Sequence, residues 1–169
     1  MSKKYILLSI LLIAPILLSG CIFENDNKVN QTATPDFIMQ KDLPAGFTFM
    51  GINNEFKMNI ANSTYKGVEG VYRNGGEDIY IQTIKNDNAD FLLSKYKEEL
   101  RQKFMSDYNP FEEITINGHP ATKLSDIRIV DGKQQMRYSI MWAKQDYMVQ
   151  VGSFSDFVTV VSLATATGY

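Results

Sequence analysis

The sequence predicts an α+β fold: one antiparallel sheet of about five to seven strands, with two helices packed on one of its faces. Three observations carry this. Short β-rich runs are separated by Asn-Gly, Asp-Gly and Asn-Gly-Gly turns. One longer stretch, Ala89–Met105, instead places its apolar residues at the helical period. The elements also come in blocks of strands, helix, meander and helix, and not in the strict strand–helix alternation of a parallel sheet.

Leu43-Pro44-Ala45-Gly46-Phe47 reads as an entry turn into a first strand near Phe47–Ile52. Tyr65–Arg73 and Asp78–Ile84 flank Asn74-Gly75-Gly76, the pattern of a tight hairpin. In the helix, Leu93, Tyr96, Leu100 and Phe104 share a face, and Lys95, Lys97, Glu98, Arg101 and Gln102 fill the other. Asp87 or Asn88 is the expected cap. Glu112–Ile116 then ends at Asn117-Gly118, and Ala121–Val130 ends at Asp131-Gly132. Gln135–Ala143 turns at Lys144-Gln145-Asp146 into Tyr147–Phe154. Strand alternation puts Tyr138, Ile140 and Trp142 on one face, and likewise Tyr147, Val149 and Val151. A last helix runs from Phe157 to about Thr167, capped by Ser155 or Asp156, with Val160, Leu163 and Ala164 inward. Trp142 is expected to be buried against Leu93, Tyr96 and Leu100.

The first residues have a different character. Lys3 and Lys4 precede an apolar run from Tyr5 to Leu18, broken only by Ser9 and Pro15. Leu18-Ser19-Gly20-Cys21 follows, and the chain turns polar at Glu24-Asn25-Asp26-Asn27. A positive start, an apolar middle and small residues before a cut are the parts of a secretory signal. A spanning helix needs about 20 apolar residues, and this run is at the short end with a proline inside it. Cys21 is the only cysteine of the 169 residues. Ser-Gly-Cys at this place resembles the lipobox of bacterial and archaeal surface lipoproteins. That resemblance implies cleavage before Cys21 and a diacylglyceryl-type lipid on its thiol. It places the protein on the outer face of the cytoplasmic membrane or in the cell envelope. The organisation expected is a cleaved signal peptide at 1–20, a lipidated cysteine and polar tether at 21–35, and a single globular domain at 36–169. A flexible tether of that length spans roughly 20 Å at about 5–6 Å × √n.

Composition narrows the partners. The formal net charge is −2, and Lys3 and Lys4 leave with the signal, so the mature chain is more acidic still. An acidic domain argues against nucleic acid and against a polybasic membrane patch. With Cys21 lipidated no internal disulfide can form, so the core alone must hold the domain.

From Ile114-Thr115-Ile116-Asn117-Gly118-His119-Pro120-Ala121-Thr122, through a meander holding Ser139-Ile140-Met141-Trp142-Ala143, to the final Val/Leu/Ala helix, the chain resembles small exported domains of unknown function. Some form the C-terminal parts of anti-sigma-type membrane proteins; others are PsbP-like lipoproteins. The resemblance spans residues 112–169 and carries no catalytic motif.

No reactive constellation stands out. His119, the only histidine, lies between Asn117-Gly118 and Pro120 and reads as a turn residue. No serine sits in a Gly-x-Ser-x-Gly or Ser-x-x-Lys pattern, and one histidine without a free cysteine makes no zinc set. Asn86-Asp87-Asn88-Ala89-Asp90 lacks the glycine and final glutamate of a calcium loop, which leaves a helix-capping turn. Glu112 and Glu113 are strand neighbours and point to opposite faces, so they do not form a hydrolytic pair with or without Asp107. Gly67, Gly70, Gly75 and Gly76 precede no Lys-Ser/Thr and form no phosphate cradle. Tyr138, Trp142, Tyr147, Phe154 and Phe157 either line a groove or build the core. Tyr138 and Tyr147 are the candidate ligand contacts, since a phenol packs its ring and still offers a hydroxyl. Asn30 and Asn62 stand in Asn-x-Thr sequons and are candidate glycosylation sites for an exported chain. The expectation is a lipid-anchored, non-enzymatic binding or accessory module with no metal or cofactor. It would meet the membrane through Cys21 and a surface protein, envelope polymer or small ligand through its domain. The alternatives are a sensory domain partnering a membrane protein and a hydrolase with scattered site residues.

Overall fold

The computed structural model describes residues 34–169. The signal segment, Cys21 and Asn30 lie outside the described residues. The elements are β1 (Thr48–Asn53), β2 (Lys57–Ile60), β3 (Ser63–Lys66), β4 (Val68–Asn74), β5 (Glu77–Lys85), α1 (Ala89–Arg101), β6 (Phe111–Ile116), β7 (His119–Val130), β8 (Lys133–Lys144), β9 (Tyr147–Ser153) and α2 (Phe157–Ala166). Seven strands form one antiparallel sheet in the order β1-β4-β5-β9-β8-β7-β6, and β2 pairs only with β3. The α+β class and the antiparallel sheet are as the sequence predicts.

Turn chemistry sets the hairpins. Asn117-Gly118 and Asp131-Gly132 both hold positive φ at their two positions, the backbone that matches a two-residue turn to strand twist. One break escapes the sequence reading. The expected strand from Tyr65 to Arg73 is interrupted at Gly67, where the chain leaves the β2–β3 hairpin and joins the main sheet. A Cβ at Gly67 would stand 2.2 Å from the carbonyl oxygen of Thr83, so only glycine lets β4 begin against β5 here.

The sheet has two unlike faces. On the first, Tyr72 of β4, Ile79 and Ile81 of β5, Val149 and Val151 of β9 and Ile140 and Trp142 of β8 join Val160, Leu163 and Ala164 of α2 in one cluster. Phe37 and Ile38 close the same cluster from the preceding segment. Tyr169 stacks on Trp142 at 4.9 Å and its hydroxyl donates to the Pro120 carbonyl at 2.7 Å. Each such Val, Ile or Leu is worth about 1.5–3 kcal/mol when fully buried. On the second face, α1 packs through Leu92 on Ile84 and Met148, and through Leu100 on Leu124 and Met141.

Two expectations change here. The helices lie on opposite faces, not one, because Met141 and Trp142 are strand neighbours and must point to opposite sides. Trp142 is buried as expected, but against α2 and Tyr169 and not against Leu93, Tyr96 and Leu100. The buried residues of α1 are Ala89, Leu92 and Leu100, while Leu93 and Tyr96 are only partly covered. Both helices are side-chain capped: Asn88 accepts from the Phe91 N–H at 3.2 Å, and Asp156 accepts from the Thr159 N–H at 3.0 Å.

β7 and β8 outrun their neighbours. Pairing with β6 ends at Leu124 and pairing with β9 begins at Tyr138. Ser125–Arg137 is therefore a two-stranded ribbon projecting from the sheet, with Ile127, Ile129 and Met136 exposed on it.

Candidate functional site

Beyond α1 the second face turns polar. Tyr80, Gly152 and Ser139 stand in register across β5, β9 and β8, and Gln82 and Gln150 form the next row. The projecting ribbon contributes Arg128, Ile129, Val130 and Arg137. These ribbon residues, with Glu69, Tyr80, Gln82, Gly152, Ser153 and Phe154, line a hollow of about 420 Å³; Ser139 and Gln150 lie buried beside it. Its floor is low because Gly152 has no side chain; a Cβ there would stand 2.8 Å from Ser139 Oγ.

The polar groups of this region are unevenly satisfied. Glu69 is held by Gln82 Nε2 at 2.6 Å and by Asn53 Nδ2 at 3.2 Å. Gln150, 2% exposed, donates only a long 3.4 Å bond to Ser139 Oγ, and its Oε1 is buried without a partner. Asp126, 5% exposed, pairs through Oδ2 with Arg128 Nε, while its Oδ1 is buried without a partner. Arg137 sits across from Asp126 in the β7–β8 register and is half-buried, and its side chain makes no hydrogen bond or ion pair among the described residues. A buried polar atom left unpaired costs about 1–3 kcal/mol, and the first face carries two of its own, the Tyr72 hydroxyl and Trp142 Nε1.

Two phenols border this region. Burial pushes the Tyr96 hydroxyl up, while Arg137 and Arg128 pull it down. Burial also pushes Tyr80 up, and Asp78 and Glu69 add to that while Arg73 opposes it. Both shifts keep these phenols protonated and able to donate at neutral pH.

The structure scatters the residues singled out from the sequence. Tyr138 packs its ring on Phe157 at 5.6 Å, beside the first-face cluster. Tyr147 packs on Phe37 at 5.7 Å and lines a separate hollow of about 410 Å³ with Pro35, Phe37 and Lys144. The two tyrosines therefore do not share the polar hollow. Asn62 is exposed at the tip of the β2–β3 hairpin with φ of 64°, a backbone that asparagine tolerates well. His119 opens β7 exposed, its ring 5.0 Å from that of Tyr169. Glu112 and Glu113 diverge as expected, the first to Lys123 and the second to Lys97 and Thr122. Asn86 and Asn88 spend their side chains on the turn before α1. Among the described residues no cluster of His, Cys, Asp and Glu is placed to hold a metal ion, and no helix is long and apolar enough to cross a membrane.

Of the aromatics named from the sequence, Phe154 is the one that lines the polar hollow. Arg128, Arg137, Gln82, Gln150 and Glu69 were not singled out at all. Their signal is polar residues on one face of strands whose other face is mostly apolar, and it becomes visible only once the register is known.

No family model matches the chain, and no curated protein matches it. A solved structure described as a GTP binding regulator from Thermotoga maritima is similar over 73% of this chain and 78% of that one, at 10% identity and a TM-score of 0.45.

Proposed function

We propose that this is a lipid-anchored, extracytoplasmic binding module, non-enzymatic, that holds a small ligand in the polar hollow of its second sheet face. The anchor rests on Lys3, Lys4, the apolar run and Leu18-Ser19-Gly20-Cys21. The binding function rests on one observation: a half-buried, unpaired Arg137 stands in a hollow beside buried acceptors that also lack partners. Ligand sites are typically concave, part apolar, and hold a few placed polar groups. Here Ile129, Val130, Phe154 and the Tyr80 ring supply the apolar wall.

The anchor is tested on the full chain. Membrane fractionation should find the wild type with the lipid fraction. Cys21→Ser should release it or leave an uncleaved precursor. The mass of the mature N-terminus should begin at a lipid-modified Cys21. An unmodified Cys21, or cleavage elsewhere, overturns the anchored reading.

A further inference from the structure

We infer that the hollow recognises a small organic carboxylate through Arg137, a conclusion that rests on reading the hollow as the ligand site. The charges decide the class. Arg128 is committed to Asp126, and Glu69 is committed to Gln82 and Asn53. Arg137 is the cation left over, since its side chain has no ion pair or hydrogen bond among the described residues while lining the hollow half-buried. A guanidinium fork matches a carboxylate with two parallel N–H···O bonds, and such charge-assisted pairs are about twice as strong as neutral ones. A phosphate fits less well. It carries more negative charge than one free guanidinium balances, and Glu69 lines the same hollow. The remaining walls ask for an apolar body: Phe154 is 37% exposed and Ile129 67% exposed at the rim, beside the Tyr80 ring. The volume of about 420 Å³ is enough for a compact molecule. The floor is low because Gly152 carries no side chain, and buried Ser139 Oγ occupies the space a Cβ there would need.

The test titrates the full-length protein in detergent with 3-phenylpropanoate, with its uncharged amide and with inorganic phosphate, read by calorimetry and by amide chemical shifts. The acid should bind with shifts centred on Tyr80, Gln82 and Gly152. The amide should bind at least about tenfold more weakly, and phosphate should fail to compete with the acid. Arg137→Gln should lose the acid by about tenfold or more, and Arg137→Lys should fall between. Arg73→Gln, which removes an arginine already paired with Asp78, should leave binding unchanged and shows that lost charge alone is not the cause. Equal binding of acid and amide, wild-type affinity in Arg137→Gln, or effective competition by phosphate each overturns the carboxylate assignment. If the amide still shifts Tyr80 and Gly152, the hollow survives as a ligand site while the carboxylate falls. If the acid shifts only residues elsewhere, or binds nowhere, both fall.

Discussion

On β9, Val149 and Val151 point into a closed apolar layer under α2, while Met148, Gln150 and Gly152 point the other way. The same alternation splits β8 into Ile140 and Trp142 on one side and Ser139 and Met141 on the other. The first face is sealed along its length by α2, the Phe37–Ile38 segment and Tyr169. The second is sealed only where α1 and the β2–β3 hairpin lie, and the rest carries Glu69, Gln82, Gln150, Asp126, Arg128 and Arg137. One face therefore spends its residues on stability. The other keeps charged and amide side chains on its central strands, where the first face has only the Tyr72 hydroxyl and Trp142 Nε1 without partners. Central strands of a domain this size are where apolar residues help most, and on this half-face polar ones take their place.

The sharpest way to break the comparison is to cut the first face. Trp142→Ala removes the largest fully buried side chain, stacked on Tyr169. It should lower unfolding free energy by about 3–5 kcal/mol, a large share of the roughly 5–15 kcal/mol of a typical domain. Urea unfolding measures it. A loss below about 1 kcal/mol would mean that the first face is not the stabilising one.

The converse change belongs to the second face. Gln150→Met replaces a 2%-exposed amide whose Oε1 has no partner with an apolar side chain of similar length. It gives up a 3.4 Å bond to Ser139 Oγ and relieves a buried acceptor. The net expectation is a gain of roughly 1 kcal/mol, with weaker ligand binding in the neighbouring hollow. If Gln150→Met is as damaging as a first-face truncation, Gln150 is part of the packing and the two faces are not different in kind.

How much of this could be read in advance follows from which forces are local. The Asn117-Gly118 and Asp131-Gly132 turns act within a few residues, and so do the caps; the sequence reading found both turns and narrowed each cap to two neighbours, of which Asn88 and Asp156 serve. Val160, Leu163 and Ala164 were legible for the same reason, as a helical stripe in a short apolar segment. Gly67 was not, because the clash that demands glycine comes from Thr83, on another strand. The side of the sheet that each helix takes was not legible either. It depends on which of Met141 and Trp142 meets which helix, and alternation alone leaves both assignments open. Arg137 escaped for a third reason. Its meaning is that it has no partner, and that is known only when Asp126 is seen to choose Arg128. Tyr138 and Tyr147 drew attention as amphipathic aromatics, yet both belong to the first-face side, where their rings help to close the core.

The smallest expected effect separates the two helices by their caps. α2, on the first face, is capped by a carboxylate; α1, on the second, by an amide. Hydrogen bonds from the Thr159 backbone N–H, and then from its hydroxyl, hold the Asp156 carboxyl below the usual range. A carboxyl lowered in the folded state contributes stability above its unfolded value, about 3.9, and that contribution is lost as pH falls through the folded value. Asn88 has no proton to gain, so its bond to the Phe91 N–H does not depend on pH in this way. Asp156→Ala should therefore destabilise at neutral pH and lose most of its effect as pH falls through the lowered folded value. Asn88→Ala should cost about 1 kcal/mol at both ends of the range. Urea unfolding of the two variants and the wild type across that range compares them directly. Parallel pH profiles for the two substitutions would show that the cap of α2 does not act through its charge.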